Sequence, residues 1–271
     1  MTQKKLKAGA VDLHMHSVFS DGTLTPEELV GECVKHGVRI ASLTDHDTVA
    51  GVERFIRQGI CSGITAVSGL ELSSVLLGKE IHILGYGFDP SDETLLATLE
   101  RLRAGREKRA EAIAEKLIDF GITIDITALK DRYRGKSLGR PAIADMMIEM
   151  GCVADRREAF ERYLAEGRPA FVDKIRVDAY EGMDIIRKAG GISVWAHPAL
   201  NAGAEGEEML KLLSDHGLDG VEAFSAAHTC REASMYAELA ARYGLYVTSG
   251  SDFHKPGEDG KHNPLGSRSY V

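Results

Sequence analysis

His14 and His16 stand two residues apart in "DLHMHSVFSDG", inside an otherwise apolar stretch. Successive strand residues face opposite sides, so the two imidazoles share one face while Leu13 and Met15 share the other. Each ring carries a donor or acceptor that needs a partner. Burying both without a metal, a carboxylate or water costs free energy. The spacing suits two ligands of one metal ion. Comparable polar residues punctuate the rest of the chain. Asp21 follows in the same segment, Asp45 and His46 lie in "LTDHDT", Glu71 in "SGLELS" and His82 in "EIHILGY". His197 lies in "WAHP", Glu222 and His228 on or after "DGVEAF", and Asp252 and His254 in "GSDFH". Each motif is weak alone. Their common placement, in or just after short apolar runs, gives them weight together.

Those runs are the elements that must position the polar residues. "AVDLHM", "RIASLT", "ITAVS", "EIHILGYG", "ISVWA", "DGVEAF" and "LYVTS" read as strands. Between several of them lie punctuated helices. "TPEELVGECVKHG" offers Thr25 as N-cap, Pro26 at the first helical position, Glu28 three residues past the cap and Gly37 as a stop. "DAYEGMDIIRKAGG" and "REASMYAELAARYG" also end in glycine. This alternation predicts parallel strands with covering helices. In a parallel barrel, the C-terminal strand ends converge on one rim. His14, His16, His46, His82, His197 and His254 are therefore expected in one cup with Asp21, Glu71 and Asp252.

The rhythm breaks between Ser91 and Val172, where the sequence is charged and helical. "SDETLLATLERLRAGREKRAEAIAEKLIDFG" reads as one long helix or as two broken near Gly105. "GRPAIADMMIEMG" and "DRREAFERYLAEG" follow, each closed by glycine. Of the other histidines, His36 and His216 each precede a glycine at a helix end, where an imidazole meets the last carbonyls. They are expected to be structural, and His262 to be exposed in a polar tail. His228 is open between a substrate contact and a loop hydrogen bond.

With 271 residues the chain has room for one large α/β domain and an insert. A net charge of −8 argues against a broad basic face for duplex DNA. It leaves an anionic substrate open, because bound divalent ions reverse the sign of a pocket locally. Cys33, Cys61, Cys152 and Cys230 are widely spaced and read as free thiols in a reducing compartment. The basic start runs into the first strand without an apolar signal segment, and no stretch approaches a membrane span. The expectation is a soluble cytoplasmic protein with no membrane partner.

"DLHMHSVFSDGTLTPEEL", "SLTDHDTVAG", "GLELS", "IHILGY", "WAHP" and "GSDFHKPG", in that order, resemble the PHP family, named for polymerase and histidinol phosphatase. The resemblance covers nearly the whole chain. It implies an α/β fold, a distorted (β/α)7 TIM-like barrel with an inserted small all-helical domain. Residues 1–90 and 173–271 would form the metal-binding barrel and residues 91–172 the helical cap. It also implies two or three divalent metal ions, Mn2+ foremost, with Zn2+ or Fe2+ also suited to nitrogen and oxygen donors without thiolate. His14, His16, Glu71 and Asp252 would hold the first ion, with Glu71 bridging to a second held by His82 and His197. Asp21, His46 and His254 would hold a third. Many trinuclear relatives have histidine where this chain has Asp21.

The "SDGT" version and the helical insert resemble a narrower branch of the family. Its members remove the 3′-phosphate of nucleoside 3′,5′-bisphosphates or trim short RNA from the 5′ end. There an arginine in "GRP" meets a substrate phosphate, which marks Arg140 here; a planar guanidinium suits phosphate oxygens. Lys174 and Arg176 in "VDKIRVD", and Lys255 in "FHKPG", are weaker candidates for the same role. The implied reaction is hydrolysis of a phosphate monoester by a metal-activated water. Arg140 would position the phosphate, and His228 or a metal-bound water would protonate the leaving group. The implied partner is a small phosphorylated nucleotide or short single-stranded RNA. Two alternatives are a histidinol-phosphate phosphatase and a non-catalytic metal-binding scaffold module.

Overall fold

The computed structural model describes residues 11–257 and 265–266; the basic start and His262 lie outside the described residues. The strands are β1 (Val11–Asp12), β2 (Ile40–Leu43), β3 (Thr65–Leu76), β4 (Lys79–Tyr86), β5 (Val177–Asp178), β6 (Ile192–Trp195), β7 (Gly220–Ser225) and β8 (Tyr246–Gly250). Seven of them follow one path, β1-β2-β3-β4-β6-β7-β8, and β5 pairs on the side with β3. Backbone bonds between the chain after β1 and the chain around the end of β8 bring the path nearly back on itself. Leu13 N–H donates to Ser249 O (3.0 Å), His16 N–H to Phe253 O (2.8 Å), and Asp252 N–H to His14 O (2.9 Å). The sheet is thus a nearly closed barrel.

The parallel arrangement expected from the sequence fails at one strand. β4 is antiparallel to both its neighbours, β3 and β6. The cause is local. Leu77 and Gly78 have φ of +51° and +75° and form a two-residue turn, too short for the crossover that a parallel strand requires. The third strand is also longer than its "ITAVS" run. Its first half, Thr65–Ser68, pairs with β2 and its second half, Gly69–Leu76, pairs with β4. Glu71, expected just after the third strand, consequently lies inside it.

Helices cover the barrel strands: α1 (Pro26–Lys35), α2 (Val52–Cys61), and later α7 (Ala179–Lys188), α8 (Gly206–Asp215) and α9 (Cys230–Tyr243). Thr25 and Glu28 close a capping box at the start of α1, as the sequence predicts, and Thr229 and Glu232 do the same for α9. Leu29, Val30 and Cys33 of α1 and Phe55 of α2 bury against Met15, Ala41 and Leu43. Among the described residues, no helix is long and apolar enough to cross a membrane.

Contacts divide the chain into two compact units, Met1–Ala97 with Arg176–Val271, and Thr98–Ile175. The second is helical. α3 (Glu93–Ile118) is one helix running through Gly105 without a break, followed by α4 (Ile126–Arg132), α5 (Arg140–Glu149) and α6 (Arg156–Ala159). The unit has its own core, with Ile113, Leu117, Leu129, Ile143, Met147 and Leu164 all buried. Leu117→Ala should therefore cost about 2–5 kcal/mol, the usual range for a large-to-small change in a packed core. Urea unfolding reads this directly, and a loss below about 1 kcal/mol would show that the site collapses around the change.

Candidate metal centre

Regular strand geometry stops at Asp12, two residues before the first histidine. Simple alternation does not carry through the segment. Met15 packs with Leu29 and Cys33, whereas Leu13 packs with a different cluster that includes Leu84 and Val194. Individual backbone bonds aim the histidines instead. The buried Asp12 carboxylate accepts from the N–H groups of His14 (3.3 Å), Ser251 (3.0 Å) and Gly266 (2.8 Å). Thr44 Oγ1 accepts from Met15 N–H at 3.1 Å. The buried Asp45 carboxylate accepts from Ser17 N–H (2.7 Å), Ser17 Oγ (2.7 Å) and Ser20 Oγ (2.6 Å), which folds the loop that carries Asp21.

At the centre lies Glu71, fully buried. Its Oε2 is 3.2 Å from His14 Nε2, 3.3 Å from His16 Nε2 and 3.1 Å from His46 Nδ1. Its Oε1 is 2.8 Å from His82 Nδ1 and 3.0 Å from His197 Nε2. Asp252 Oδ1 approaches His16 Nε2 (3.1 Å) and His14 Nε2 (3.4 Å). Asp21 is looser, with Oδ1 3.3 Å from His254 Nε2 and Oδ2 3.8 Å from His46 Nε2. All nine residues expected to bind metal are thus brought together. Four groups among them have ligand atoms within 4.8 Å of one another: His16, Asp21, His46 and His254; His14, His16 and Asp252; His14, Glu71 and His197; and His46, Glu71 and His82.

The donor set fits divalent cations. His14 Nε2, His46 Nδ1 and Glu71 Oε2 are buried and crowd together without a well-aligned hydrogen bond, and His197 Nδ1 is buried with none, a costly arrangement for polar atoms that an ion would relieve. The donors are imidazole and carboxylate only, a mixture that suits Mn, Zn or Fe. Electrostatics agree. At His14, burial disfavours the charged ring, but Glu222, Glu71 and Asp252 outweigh it and hold the proton well above the usual histidine range. The same contest at His16, burial against its bonds to Asp252 and Glu71, ends at about 10. At His46 burial prevails despite Glu71 and Asp21, and the neighbouring His16 and His82 add to it, lowering the ring to about 3. Carboxylates that hold protons on His14 and His16 would hold a cation in their place, so metal uptake must expel those protons.

Backbone strain concentrates here. Asp47, His197 and Asp252 have φ of +53°, +28° and +53°, and His197 opens the turn Pro198–Leu200. Such positions persist only where surrounding bonds over-determine them. Asp47 Oδ1 accepts from Ser73 N–H (2.7 Å), and Asp47 N–H donates to Glu71 O (2.9 Å). A cavity of about 330 Å³ opens on His46, Glu71, His82, His197, Asp252 and His254, with Glu80, Asn201 and the exposed Leu200 also lining it.

The substrate candidates fare differently. His228 is buried; its Nδ1 lies 2.9 Å from Ala223 O, its Nε2 accepts from Ala199 N–H at 3.2 Å, and its ring stacks on Tyr236. Both nitrogens serve the backbone, so of the two readings of His228 the loop hydrogen bond fits the geometry. Arg140 begins α5 in the helical unit, where it donates to Leu164 O (3.0 Å) and lies over the rings of Phe160 and Phe171. Arg176 pairs with Glu80 at 2.8 Å, and Glu80 in turn lies 3.3 Å from His82 Nε2. Lys174 is in the helical unit, and Lys255 directly follows His254; both are half-buried. His36 Nδ1 lies 2.9 Å from Glu32 O at the end of α1, and His216 stacks on Tyr180, both away from the cluster as expected. Sequence reasoning gave no role to Asp12, Asp45, Glu80 or Glu222. The signal available was a carboxylate within an otherwise apolar run, since "DGVEAF" buries a glutamate that needs a partner.

The PHP domain family model matches residues 12–102. The chain is 37% identical to a 5′-3′ exoribonuclease of Haemophilus influenzae, over 90% of each chain. It is 34% identical to a 3′,5′-nucleoside bisphosphate phosphatase of Chromobacterium violaceum, over 93% of this chain and 89% of the relative. A crystal structure from Bifidobacterium adolescentis, described as a proposed metal-dependent phosphoesterase, superposes with a TM-score of 0.82 at 28% identity, covering 94% of this chain and 91% of the other.

Metal removal tests the centre. Dialysis against EDTA should lower the melting temperature, and Mn2+ at 100 times its Kd should restore about 2.7 kcal/mol of stability. Calorimetric scans with and without added Mn2+ measure the difference; an unchanged transition would mean that the cluster takes no ion.

Proposed function

The chain belongs to the PHP family and is a hydrolase acting on phosphate esters, and we propose that its substrate is a nucleoside 3′,5′-bisphosphate, from which it removes the 3′-phosphate, with short 5′-phosphorylated RNA as a second substrate. The observation that carries this reading is the crowd of imidazoles around the Glu71 carboxylate, opening on a cavity of nucleotide scale. In this reading His14, His16, Asp21, His46, Glu71, His82, His197, Asp252 and His254 hold two or three ions, Mn2+ first among them. Bound there, such ions supply Lewis acidity to the phosphoryl oxygens and lower the pKa of water.

The protein's own residues bind and orient. Glu71, with imidazoles on both oxygens, sets the spacing of the two halves of the centre. Asp21 is the most exposed and loosest member, which supports a weaker third position. Arg140 is our candidate for gripping a substrate phosphate, with Lys174 and Arg176 as further candidates. A proton for the leaving alkoxide is not assigned to His228, whose ring nitrogens are engaged with backbone groups. The histidinol-phosphate and scaffold readings are not favoured, because the relatives at 34–37% identity are a nucleotide phosphatase and an exoribonuclease. We read the setting as cytoplasmic, from the widely spaced cysteines that suit a reducing compartment.

Hydrolysis in Mn2+, followed as phosphate release from the monoesters and as nucleotide release from the diesters, should be fastest for 3′-phosphoadenosine 5′-phosphate, compared with histidinol phosphate, cyclic nucleotides and 5′-phosphorylated oligoribonucleotides. A folded His14→Ala protein should lose essentially all of it. Preference for histidinol phosphate, or normal release by His14→Ala, would defeat the proposal. Arg140→Ala should lower kcat/KM by about 10- to 100-fold with metal content intact, the loss of one charge-assisted phosphate contact. If the melting temperature falls while kcat/KM holds, Arg140 serves the packing of Phe160, Leu164 and Phe171 instead.

A further inference from the structure

We propose that Glu222 is a positioning residue of the metal centre, a carboxylate that aims His14 and pins the His197 turn by one hydrogen bond to each. The inference rests on the cluster being a metal site. Glu222 lies in β7 and is fully buried. Its Oε1 is 3.0 Å from His14 Nδ1, and its Oε2 accepts from His197 N–H at 2.9 Å. One side chain thereby ties together residues that follow β1 and β6.

The sheet order makes this reach unusual. β7 borders β6 directly, but β8 lies between β7 and the chain after β1. A side chain on β8 would close the route, and at that place β8 has Gly250. A Cβ there would sit 2.2 Å from His14 Cβ and 2.6 Å from Glu222 Oε1. The pairing of β7 with β8 also slips between Glu222 and Phe224. Glycine and slip together give the carboxylate its line to His14.

Two consequences follow from the bonding. With its Nδ1 proton donated to Glu222, His14 presents Nε2, which lies 3.2 Å from Glu71 Oε2 and 3.4 Å from Asp252 Oδ1. A carboxylate on the far nitrogen fixes tautomer and ring angle in this way at many metal sites. His197 has φ of +28°, and its N–H, aimed at Glu222, would otherwise be an unsatisfied buried donor. The side chain that must face Glu71 depends on that backbone angle.

Glu222→Gln keeps the volume but offers one carbonyl oxygen to two donors. The full-length variant, stripped of metal and titrated with Mn2+ by calorimetry while folded by circular dichroism, should show its tightest Kd raised about 10- to 100-fold. A lower melting temperature with an unchanged Kd would make Glu222 merely structural and overturn the inference. Wild-type protein that binds no Mn2+ would instead overturn the metal-site reading, and this inference with it. Should the variant not fold, wild-type protein carrying 15N-histidine and loaded with Zn2+ decides. A proton on His14 Nδ1 supports the assignment, and a proton on Nε2 overturns it.

Discussion

A single buried carboxylate with five imidazoles on its two oxygens sets the terms for everything around it. Glu71, fully buried, is costly to keep charged unless its partners are positive or bind something positive. The imidazoles cannot all carry protons at such separations, and His46 is driven neutral while His16 keeps its proton. Without metal, the cluster is therefore a compromise of shared protons. A divalent cation resolves the conflict, because it satisfies carboxylate and neutral imidazole alike.

Holding these groups at close range requires a frame stiffer than their repulsion. The frame is built from buried carboxylates that never face the cavity. Asp12 gathers three backbone N–H groups at the barrel seam, and Asp45 gathers the serine loop before Asp21. Backbone bonds between His14, His16, Asp252 and Phe253 then lock the two ends of the barrel together. Positive φ at Asp47, His197 and Asp252 shows that this frame holds conformations the residues would not choose alone.

Much of the site was legible because its residues conflict with their surroundings. A histidine or acid at the end of an apolar run is conspicuous, and His14, His16, Glu71, His82, His197 and Asp252 were found that way. The capping box at Thr25 was equally plain, since its signal is wholly local. Three things were not legible. The direction of β4 depends on a turn with positive φ at Leu77, which is not a usual turn residue. The irregular path after Asp12 depends on tertiary hydrogen bonds, so alternation placed Leu13 and Met15 together although they enter different clusters. The outer carboxylates depend on which strands become neighbours, and one sequence without its fold does not contain that order.

The antiparallel hairpin at Leu77–Gly78 gives the centre a history as well as a shape. Glu71 and His82 are brought together by closure of one short turn, an event of about 1–10 μs in an isolated hairpin. His16 and Asp252 are separated by 236 residues and meet only when the barrel closes. The centre thus joins a contact that one hairpin makes locally to a contact that only the whole fold can make.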